Sequence, residues 1–169
     1  MDYIIFRAIN NLAGMSPFLD SVGIFLAEMA IFVMILLVAL IKGKGHRLRM
    51  ILESALASGF ALFTNAMIGF LAFRYRPFIA HEQVHLLIEK SGLDKSFPSD
   101  HTTVAFALAT VVFLHNRKWG IVSYIIALLI GISRIYVGVH YPTDVVGGMI
   151  VGIFSGMLVY FVGRRLIAH

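Results

Sequence analysis

Cysteine is absent from the chain and charged residues are scarce, since 14% of its 169 residues are Asp, Glu, Lys or Arg. Without cysteine the protein has no disulfide, no thiolate nucleophile and no cysteine-ligated metal site. Soluble domains are about 25% charged. The low charge and a mean hydropathy of +0.88 therefore exclude an ordinary soluble protein and predict one embedded in the lipid bilayer. No nucleic-acid partner is expected, because in a membrane chain the placement of the cations matters more than the net charge of +5.

Apolar stretches indicate how often the chain crosses the membrane, since a spanning helix needs about 20 residues. Four stretches approach or exceed that length, at 21–41, 51–73, 119–139 and 145–162. A fifth, from 99 to about 114, is shorter and can span only with help from its capped ends or from local bilayer thinning. We therefore predict an all-α, polytopic membrane helix bundle with five transmembrane helices, formed by a single domain over 1–169.

The amino-terminal residues 1–17 show a different pattern. Apolar residues recur there at helical spacing, with polar residues between them; the apolar set is Ile4, Ile5, Ala8, Ile9 and Leu12, and the polar set is Asp2, Arg7, Asn10 and Asn11. This pattern predicts an N-terminal helix that lies in the membrane interface. No cleavable signal peptide is expected, because the first long apolar run is too long for one and no small-residue cleavage site follows it.

Lys and Arg residues indicate the orientation of the bundle. With five spans, eight of the fourteen fall at one end, namely Lys42, Lys44, Arg47, Arg49, Arg117, Lys118, Arg164 and Arg165. The positive-inside rule makes this end cytoplasmic. The loop 75–97 and the turn 140–143 then lie at the extracytoplasmic end of a multi-pass protein of the plasma membrane.

The last apolar stretch carries a regular series of small residues. Gly148, Gly152 and Gly156 are each four residues apart. Small residues at that spacing allow two helices to approach closely in lipid, so the series predicts a helix-packing face.

Three short polar clusters fall at the end predicted to be extracytoplasmic. They are RYRPF at 74–78, PSDH at 98–101 and SRIYVGVHYPTD at 133–144. Ionisable groups at membrane depth are costly, so these clusters are candidates for a functional site. Arg76 and Arg134 carry planar guanidinium groups whose geometry matches phosphate oxygens.

The second cluster lies where a helix is predicted to begin. Pro98 ends any helix that enters from the preceding loop, and the Ser99 hydroxyl is expected to cap the new helix. The free N–H groups and the dipole of the first turn favour an anion, and His101 lies in that turn. The sequence therefore predicts a phosphate-binding pocket that contains a titratable group.

The third cluster contains His140 and Asp144, which are four residues apart and neighbours on a helical turn. The carboxylate can fix the tautomer of His140 so that one ring nitrogen acts as a nucleophile, while His101 gives a proton to the leaving oxygen. These three residues are also metal-ligand types. Adjacent arginines would repel a cation, however, so we expect no metal.

These clusters resemble the signature of the type 2 phosphatidic acid phosphatase superfamily, written Lys-x6-Arg-Pro, Pro-Ser-x-His and Ser-Arg-x5-His-x3-Asp. The second and third blocks are complete here, whereas the first retains Arg76 and Pro77 but has Gly69 at the lysine position. Over about 51–163 the chain most resembles bacterial undecaprenyl-pyrophosphate phosphatases of the bacitracin-resistance type, whose first block commonly lacks the lysine. Arg74 and Lys95 are candidates to replace its phosphate contact.

The resemblance implies a mechanism without metal or cofactor. His140 attacks the terminal phosphorus and forms a phosphohistidine, Asp144 orients His140, and His101 protonates the leaving oxygen and then activates water. The implied substrate-binding residues are Arg76, Arg134, Ser99, Pro98, Asp100, Ser133 and Arg74.

The resemblance also implies a substrate, an isoprenoid lipid pyrophosphate. Undecaprenyl pyrophosphate would be hydrolysed to undecaprenyl phosphate and phosphate at the outer leaflet, which recycles the lipid carrier of peptidoglycan synthesis and raises tolerance to bacitracin. The alternatives are phosphatidylglycerol phosphate, phosphatidate or diacylglycerol pyrophosphate as substrate and, in another class, a non-catalytic membrane subunit of a transporter. A homo-oligomer and the lipid chain length stay open.

Overall fold

The computed structural model of the protein describes residues 1–41 and 47–167. Within them every regular element is a helix, and the order is α1 Asp2–Asn10, α2 Pro17–Glu28, α3 Ala30–Leu40, α4 Arg47–Leu71, α5 Pro77–Ala80, α6 Asp100–His115, α7 Arg117–Tyr136 and α8 Pro142–Ile167. The all-α prediction is confirmed. Lys42 and Lys44, which contribute to the predicted orientation, lie outside the described residues.

Three helices, α4, α7 and α8, are long and apolar enough to cross a membrane, and α2 with α3 passes the same test as one bent pair. This confirms a polytopic membrane bundle. The apolar helix α6 has 16 residues and so a length of about 24 Å, which is short of a full crossing. The count of five spans therefore stays a prediction.

The first predicted span, 21–41, is not one straight helix. It breaks at Met29, and the axes of α2 and α3 differ there by 54°. Nη1 of Arg134 donates a hydrogen bond of 3.0 Å to the carbonyl oxygen of Ala27, in the last turn of α2. A side chain that bonds to helix carbonyls is a recognised cause of a sharp bend. The sequence could not predict this break, because its cause is 107 residues away.

Helix α6 lies at the centre of the bundle, with α4, α7 and α8 packed around it. Its contact with α8 depends on the glycine series. A Cβ on Gly148 would lie 2.8 Å from the carbonyl oxygen of Ser99, and one on Gly156 would lie 3.0 Å from that of Ala107. No side chain fits between backbones this close, so the predicted packing face is confirmed.

The end of the bundle away from the polar clusters is joined by a buried ionic group. Glu53 accepts a hydrogen bond of 2.7 Å from Nε of Arg49 and pairs at 2.7 Å with Nε2 of His115. Glu53 also lies against α8, where a Cβ on Gly163 would be 3.0 Å from Oε1. This group fastens the start of α4 to the ends of α6 and α8.

The N-terminal helix α1 is docked on the bundle through buried side chains. Phe6 and Asn10 are fully buried. Nδ2 of Asn10 donates to the backbone oxygens of His85 and Tyr136, both at 2.8 Å, and its Oδ1 accepts from the backbone N–H of His85 at 2.9 Å. The helix itself was predicted, and Asn10, one of its polar residues, is a buried docking residue. Its placement in the membrane interface stays a prediction.

The close approach of α6 and α8 leads to a stability prediction. In Gly152→Ala the new Cβ would lie 2.9 Å from the backbone nitrogen of Ala107 and closer still to the oxygen of Thr103, so the helices must move apart. We expect the free energy of unfolding in detergent to fall by about 1–3 kcal/mol. Gly59→Ala on α4 is the matched control, since a Cβ there meets nothing within 4 Å. Equal stability of the two variants would contradict the prediction.

Candidate active site

A polar cavity of about 330 Å³ lies at the end of the bundle where the three clusters meet. It is lined by four cations, two carboxylates and two imidazoles, from Arg76, Lys90, Asp94, Lys95, Asp100, His101, Arg134 and His140. The structure therefore brings His101, His140, Arg76 and Arg134 together around one space, although they come from three separate parts of the chain.

His140 lies in the turn between α7 and α8, outside the helices. The turn passes through Gly138 at a φ of +88°, where a Cβ would lie 2.7 Å from the backbone oxygen of His85, so a glycine is required. His140 is 3% exposed, and its Nε2 is 3.3 Å from Nη1 of Arg76. The turn thus presents Nε2 to the cavity beside a guanidinium group.

Asp144 faces the other ring nitrogen of His140. Its Oδ2 lies 3.5 Å from Nδ1, which is longer than a normal hydrogen bond, and Nδ1 has no other hydrogen-bond partner among the described residues. The same Oδ2 accepts shorter hydrogen bonds from the Ser96 hydroxyl, at 2.6 Å, and from the backbone N–H of Tyr141, at 2.8 Å. The carboxylate is therefore fixed first by these donors, and it presents a negative charge to the Nδ1 side of the ring.

Arg74 does not line the cavity, in contrast to its predicted role in substrate binding. Its Nη1 donates to Oδ1 of Asp144 at 3.0 Å, its Nη2 donates to Oδ2 of Asp2 at 2.7 Å, and its guanidinium lies 3.7 Å from the centre of the Tyr141 ring. Asp2 also accepts from the backbone N–H of Thr143 at 3.0 Å, at the start of α8. Arg74 thus holds Asp144 from the side away from the cavity, and Asp2 of α1 in turn holds Arg74.

Arg76 and Arg134 are buried, with relative exposures of 5% and 1%. Each is anchored by one backbone oxygen: Nη1 of Arg76 donates to Val139 at 3.3 Å, and Nη1 of Arg134 donates to Ala27 at 3.0 Å. In both, Nε has no partner in the described part of the chain. A guanidinium has five N–H donors, so both groups keep donors for an anion in the cavity.

The second cluster begins α6 as predicted, but Ser99 does not cap it. Ser99 occupies the N-cap position without a side-chain cap bond, and its buried hydroxyl instead accepts from the hydroxyl of Thr102 at 3.1 Å. His101, two residues further on, lines the cavity as expected.

Pro98 and Asp100 both accept hydrogen bonds from Lys95. Nζ of Lys95 donates to the carbonyl oxygen of Pro98 at 3.1 Å and to Oδ1 of Asp100 at 2.8 Å. That same Oδ1 accepts from Nδ2 of Asn65, also at 2.8 Å. These two residues were predicted to bind substrate, and the structure shows them holding a lysine at the cavity wall.

Ser133, also predicted to bind substrate, lies outside the polar cavity. Its hydroxyl donates to the carbonyl oxygen of Ile130 at 2.7 Å, within α7. Four residues of the site were missed by sequence reasoning: Lys90 and Asp94, which line the cavity, and Ser96 and Asp2, which support Asp144 and Arg74. Ser96 stands two residues before the recognised Pro98, so its position offered a signal, whereas nothing in the sequence connects Asp2 with a site more than 70 residues away.

The surroundings of His140 favour its neutral form. The pKa of His140 is lowered to about 4, chiefly by burial and also by the guanidinium groups of Arg134 and Arg76, while the Asp144 carboxylate opposes the shift. At neutral pH the imidazole is therefore uncharged. With Asp144 on the Nδ1 side, the favoured tautomer carries its proton there. Nε2 is then the nucleophilic nitrogen, and its lone pair accepts a hydrogen bond from Nη1 of Arg76 at 3.3 Å.

A metal site was the alternative for the same residues. Over residues 1–41 and 47–167, no group of three or more His, Asp or Glu side chains is placed to hold a metal ion, and His101, His140 and Asp144 do not form such a group. The cations at the cavity wall suit an anion instead.

The electrostatics of His140 can be tested directly. In Arg76→Met we expect the pKa of His140 to rise, because a cation 3.3 Å from Nε2 disfavours the imidazolium form. Nitrogen NMR of histidine-labelled protein in detergent measures it, and the unchanged protein should keep a neutral His140 at pH 6. Arg7→Met is the control, since Arg7 bonds to Gln83 at an exposed position. A pKa that stays the same or falls in the Arg76 variant would refute this account.

Comparisons with known proteins agree with this geometry. Residues 48–167 match the PAP2 superfamily. The chain is 41% identical over 162 residues to the undecaprenyl-diphosphatase BcrC of Bacillus subtilis strain 168, covering 95% of this chain and 83% of that protein. The crystal structure of Aquifex aeolicus LpxE superposes with a TM-score of 0.77 at 29% identity, over 94% of both chains. A transmembrane PAP2-type phosphatidylglycerolphosphate phosphatase from Bacillus subtilis gives 0.68 at 25% identity, over 96% of this chain and 86% of that one. The sequence blocks, the helical bundle and the cavity they form together show that this chain belongs to the PAP2 superfamily.

Proposed function

We propose that the protein is a phosphatase that hydrolyses undecaprenyl pyrophosphate to undecaprenyl phosphate and inorganic phosphate. The observation that carries the proposal is the geometry at a buried, neutral His140, whose Nε2 lies 3.3 Å from Nη1 of Arg76 in a cavity that Arg134 and His101 also line. The substrate is inferred from the 41% identity to an undecaprenyl-diphosphatase.

The first chemical step transfers the terminal phosphoryl group to His140. Nε2 attacks the phosphorus, a P–N bond forms, and the bond from phosphorus to the bridging oxygen breaks. The bond's electron pair stays with the leaving undecaprenyl phosphate, and His101 can supply a proton to it. Asp144 stabilises the positive charge that develops on the ring, while Arg76 and Arg134 stabilise the equatorial oxygens.

The second step releases phosphate and restores the enzyme. His101 takes a proton from a water molecule, whose oxygen attacks the phosphorus of the phosphohistidine. The P–N bond breaks, and its electron pair returns to Nε2 of His140. The four cations around the cavity provide the charge that a metal ion would otherwise supply, so the reaction proceeds without one.

The proposed setting is the plasma membrane of a bacterium, with the active site on the extracytoplasmic face. Support comes from the described cations Arg49 and Arg164, which lie at the end of the bundle opposite the cavity, where the positive-inside rule places the cytoplasm. The product would return to peptidoglycan synthesis as a lipid carrier, and its faster recycling would raise tolerance to bacitracin. All the groups that act come from one chain, so a homo-oligomer is not required.

A second candidate keeps the chemistry and changes the lipid. The similarity in structure to a phosphatidylglycerolphosphate phosphatase favours this substrate over the other monoesters. Assays of the purified protein with both lipids, singly and in competition, separate the two. Faster turnover of phosphatidylglycerol phosphate would replace the first proposal with this one, and faster turnover of phosphatidate would contradict both.

Loss of the nucleophile is the main test of the mechanism. In His140→Ala, phosphate release from undecaprenyl pyrophosphate should fall to background, because no P–N bond can form, and release by the unchanged protein should resist a chelator. His85→Ala is the control, since His85 is exposed and lies outside the cavity. Phosphate release that survives in His140→Ala would contradict the phosphohistidine mechanism, whereas no release by the unchanged protein would favour a non-catalytic transporter subunit.

Asp2 provides a test of the support behind Asp144. In Asp2→Asn, Arg74 loses an ion pair and Asp144 becomes less well positioned, so we expect kcat to fall roughly tenfold with KM unchanged. Asp20→Asn is the matched control, because Asp20 also fastens the amino-terminal region, through Gly14 and Tyr136, but touches nothing in this network. A rise in KM alone, or an equal loss in the control, would show that Asp2 does not act through Asp144.

A further inference from the structure

Lys95, in the loop before α6, reaches the cavity by passing directly over the backbone of α4. Its side chain crosses Gly69, where a Cβ would lie 2.9 Å from Cε of Lys95 and closer still to Cδ. Any residue other than glycine at this position would occupy the path of the lysine. Gly69 is buried beneath it, near the end of α4. Lys95 thus provides the cation, and Gly69, which has no side chain, leaves the space through which the lysine side chain passes.

The ammonium group of Lys95 is held with one donor to spare. It donates to the carbonyl oxygen of Pro98 at 3.1 Å and to Oδ1 of Asp100 at 2.8 Å, and its side chain is 18% exposed. Asn65 fixes the same carboxylate oxygen from α4. A protonated lysine has three N–H donors, so the third is available to a ligand in the cavity that Lys95 lines.

The cavity has more positive charge than one phosphoryl group needs. Arg76 and Arg134 are anchored by the turn that carries His140 and by α2, and both retain free donors for the reacting group. Lys95 is fixed instead against α4 and the start of α6, beside Asp100 in the turn that also carries His101. A volume of about 330 Å³ is within the range of small-ligand pockets and leaves room beyond the reacting position.

We propose that Lys95 binds the second, non-reacting phosphoryl group of a diphosphate substrate, and that the glycine at position 69 makes room for its side chain. The inference rests on the proposed function and assigns the part of the site that distinguishes a diphosphate from a monophosphate. When the bond from the terminal phosphorus to the bridging oxygen breaks, its electron pair remains on that oxygen, which stays with the lipid monophosphate. The Lys95 ammonium lies where it neutralises this charge.

Binding of two inorganic anions tests this role without any turnover. Protein carrying His140→Ala cannot form the phosphohistidine, so its affinities for inorganic pyrophosphate and inorganic phosphate can be measured by titration calorimetry in detergent. Adding Lys95→Met should weaken pyrophosphate about 10- to 100-fold, the loss expected for one charged hydrogen bond, and should change phosphate less than about threefold. Lys118→Met is the control, because Lys118 is exposed and does not line the cavity.

The glycine gives a second and independent variant. Gly69→Ala should displace Lys95 and reproduce the selective loss of pyrophosphate binding, and combining it with Lys95→Met should add little, because both remove the same contact. Gly59→Ala, on the same helix with open space around it, should leave both affinities unchanged. Thermal midpoints of all variants identify any that fail to fold. Lys95→Met leaves the sequence of α4 unchanged, so it still tests the contact if Gly69→Ala does not fold.

The outcomes separate this inference from the proposed function. Equal losses for both anions, or no loss for either, would overturn the role of Lys95 whatever the protein hydrolyses. A selective loss in Lys95→Met would support it. If the unchanged protein then releases no phosphate from undecaprenyl pyrophosphate, the proposed function fails while the diphosphate-binding role of Lys95 stands.

Discussion

The buried carboxylate of Asp144 is the interaction on which the site depends. It receives a hydroxyl from Ser96, a backbone N–H from its own turn and a guanidinium from Arg74, and it faces His140. A buried charge is tolerable only when such donors surround it. Because those donors come from the loop before α6, the end of α4 and the start of α8, satisfying one carboxylate brings these segments together. The amino-terminal helix joins them through Asp2.

The backbone contact of α6 with α8 fixes the axial position of one helix relative to the other, and with it the relative positions of His101 and His140. The backbone N–H of Ser99 donates to the carbonyl oxygen of Asp144 at 3.1 Å, and Gly148 lies against the carbonyl of Ser99 one turn further along α8. Such backbone contacts allow little sliding, since a side chain cannot enter between the helices. The positions of His101 and His140 relative to one another are therefore determined by the glycine series as much as by the residues of the site.

Local patterns in the sequence predicted the features that depend on neighbouring residues. The helical class, the glycine packing face and the meeting of the three polar blocks follow from composition, spacing and the family resemblance. The features that were missed are contacts between distant residues: the bend caused by Arg134, the support of Asp144 by Arg74 and Asp2, and the lysine that crosses Gly69. Ser99 was correctly placed at the N-cap of α6, but its hydroxyl accepts from Thr102 and makes no cap bond. Helix propensity and residue periodicity do not predict which donor a hydroxyl oxygen accepts from.

The bend in the first span has a consequence for how an anion enters. Arg134 is held by the carbonyl of Ala27 at a helix end, where the dipole attracts a cation, instead of by an acidic side chain. An arginine that is paired with a carboxylate must break that ion pair before it can bind an incoming anion. Among the residues that the structure describes, no carboxylate forms an ion pair with Arg134, so this side chain can bind an incoming anion without first breaking one.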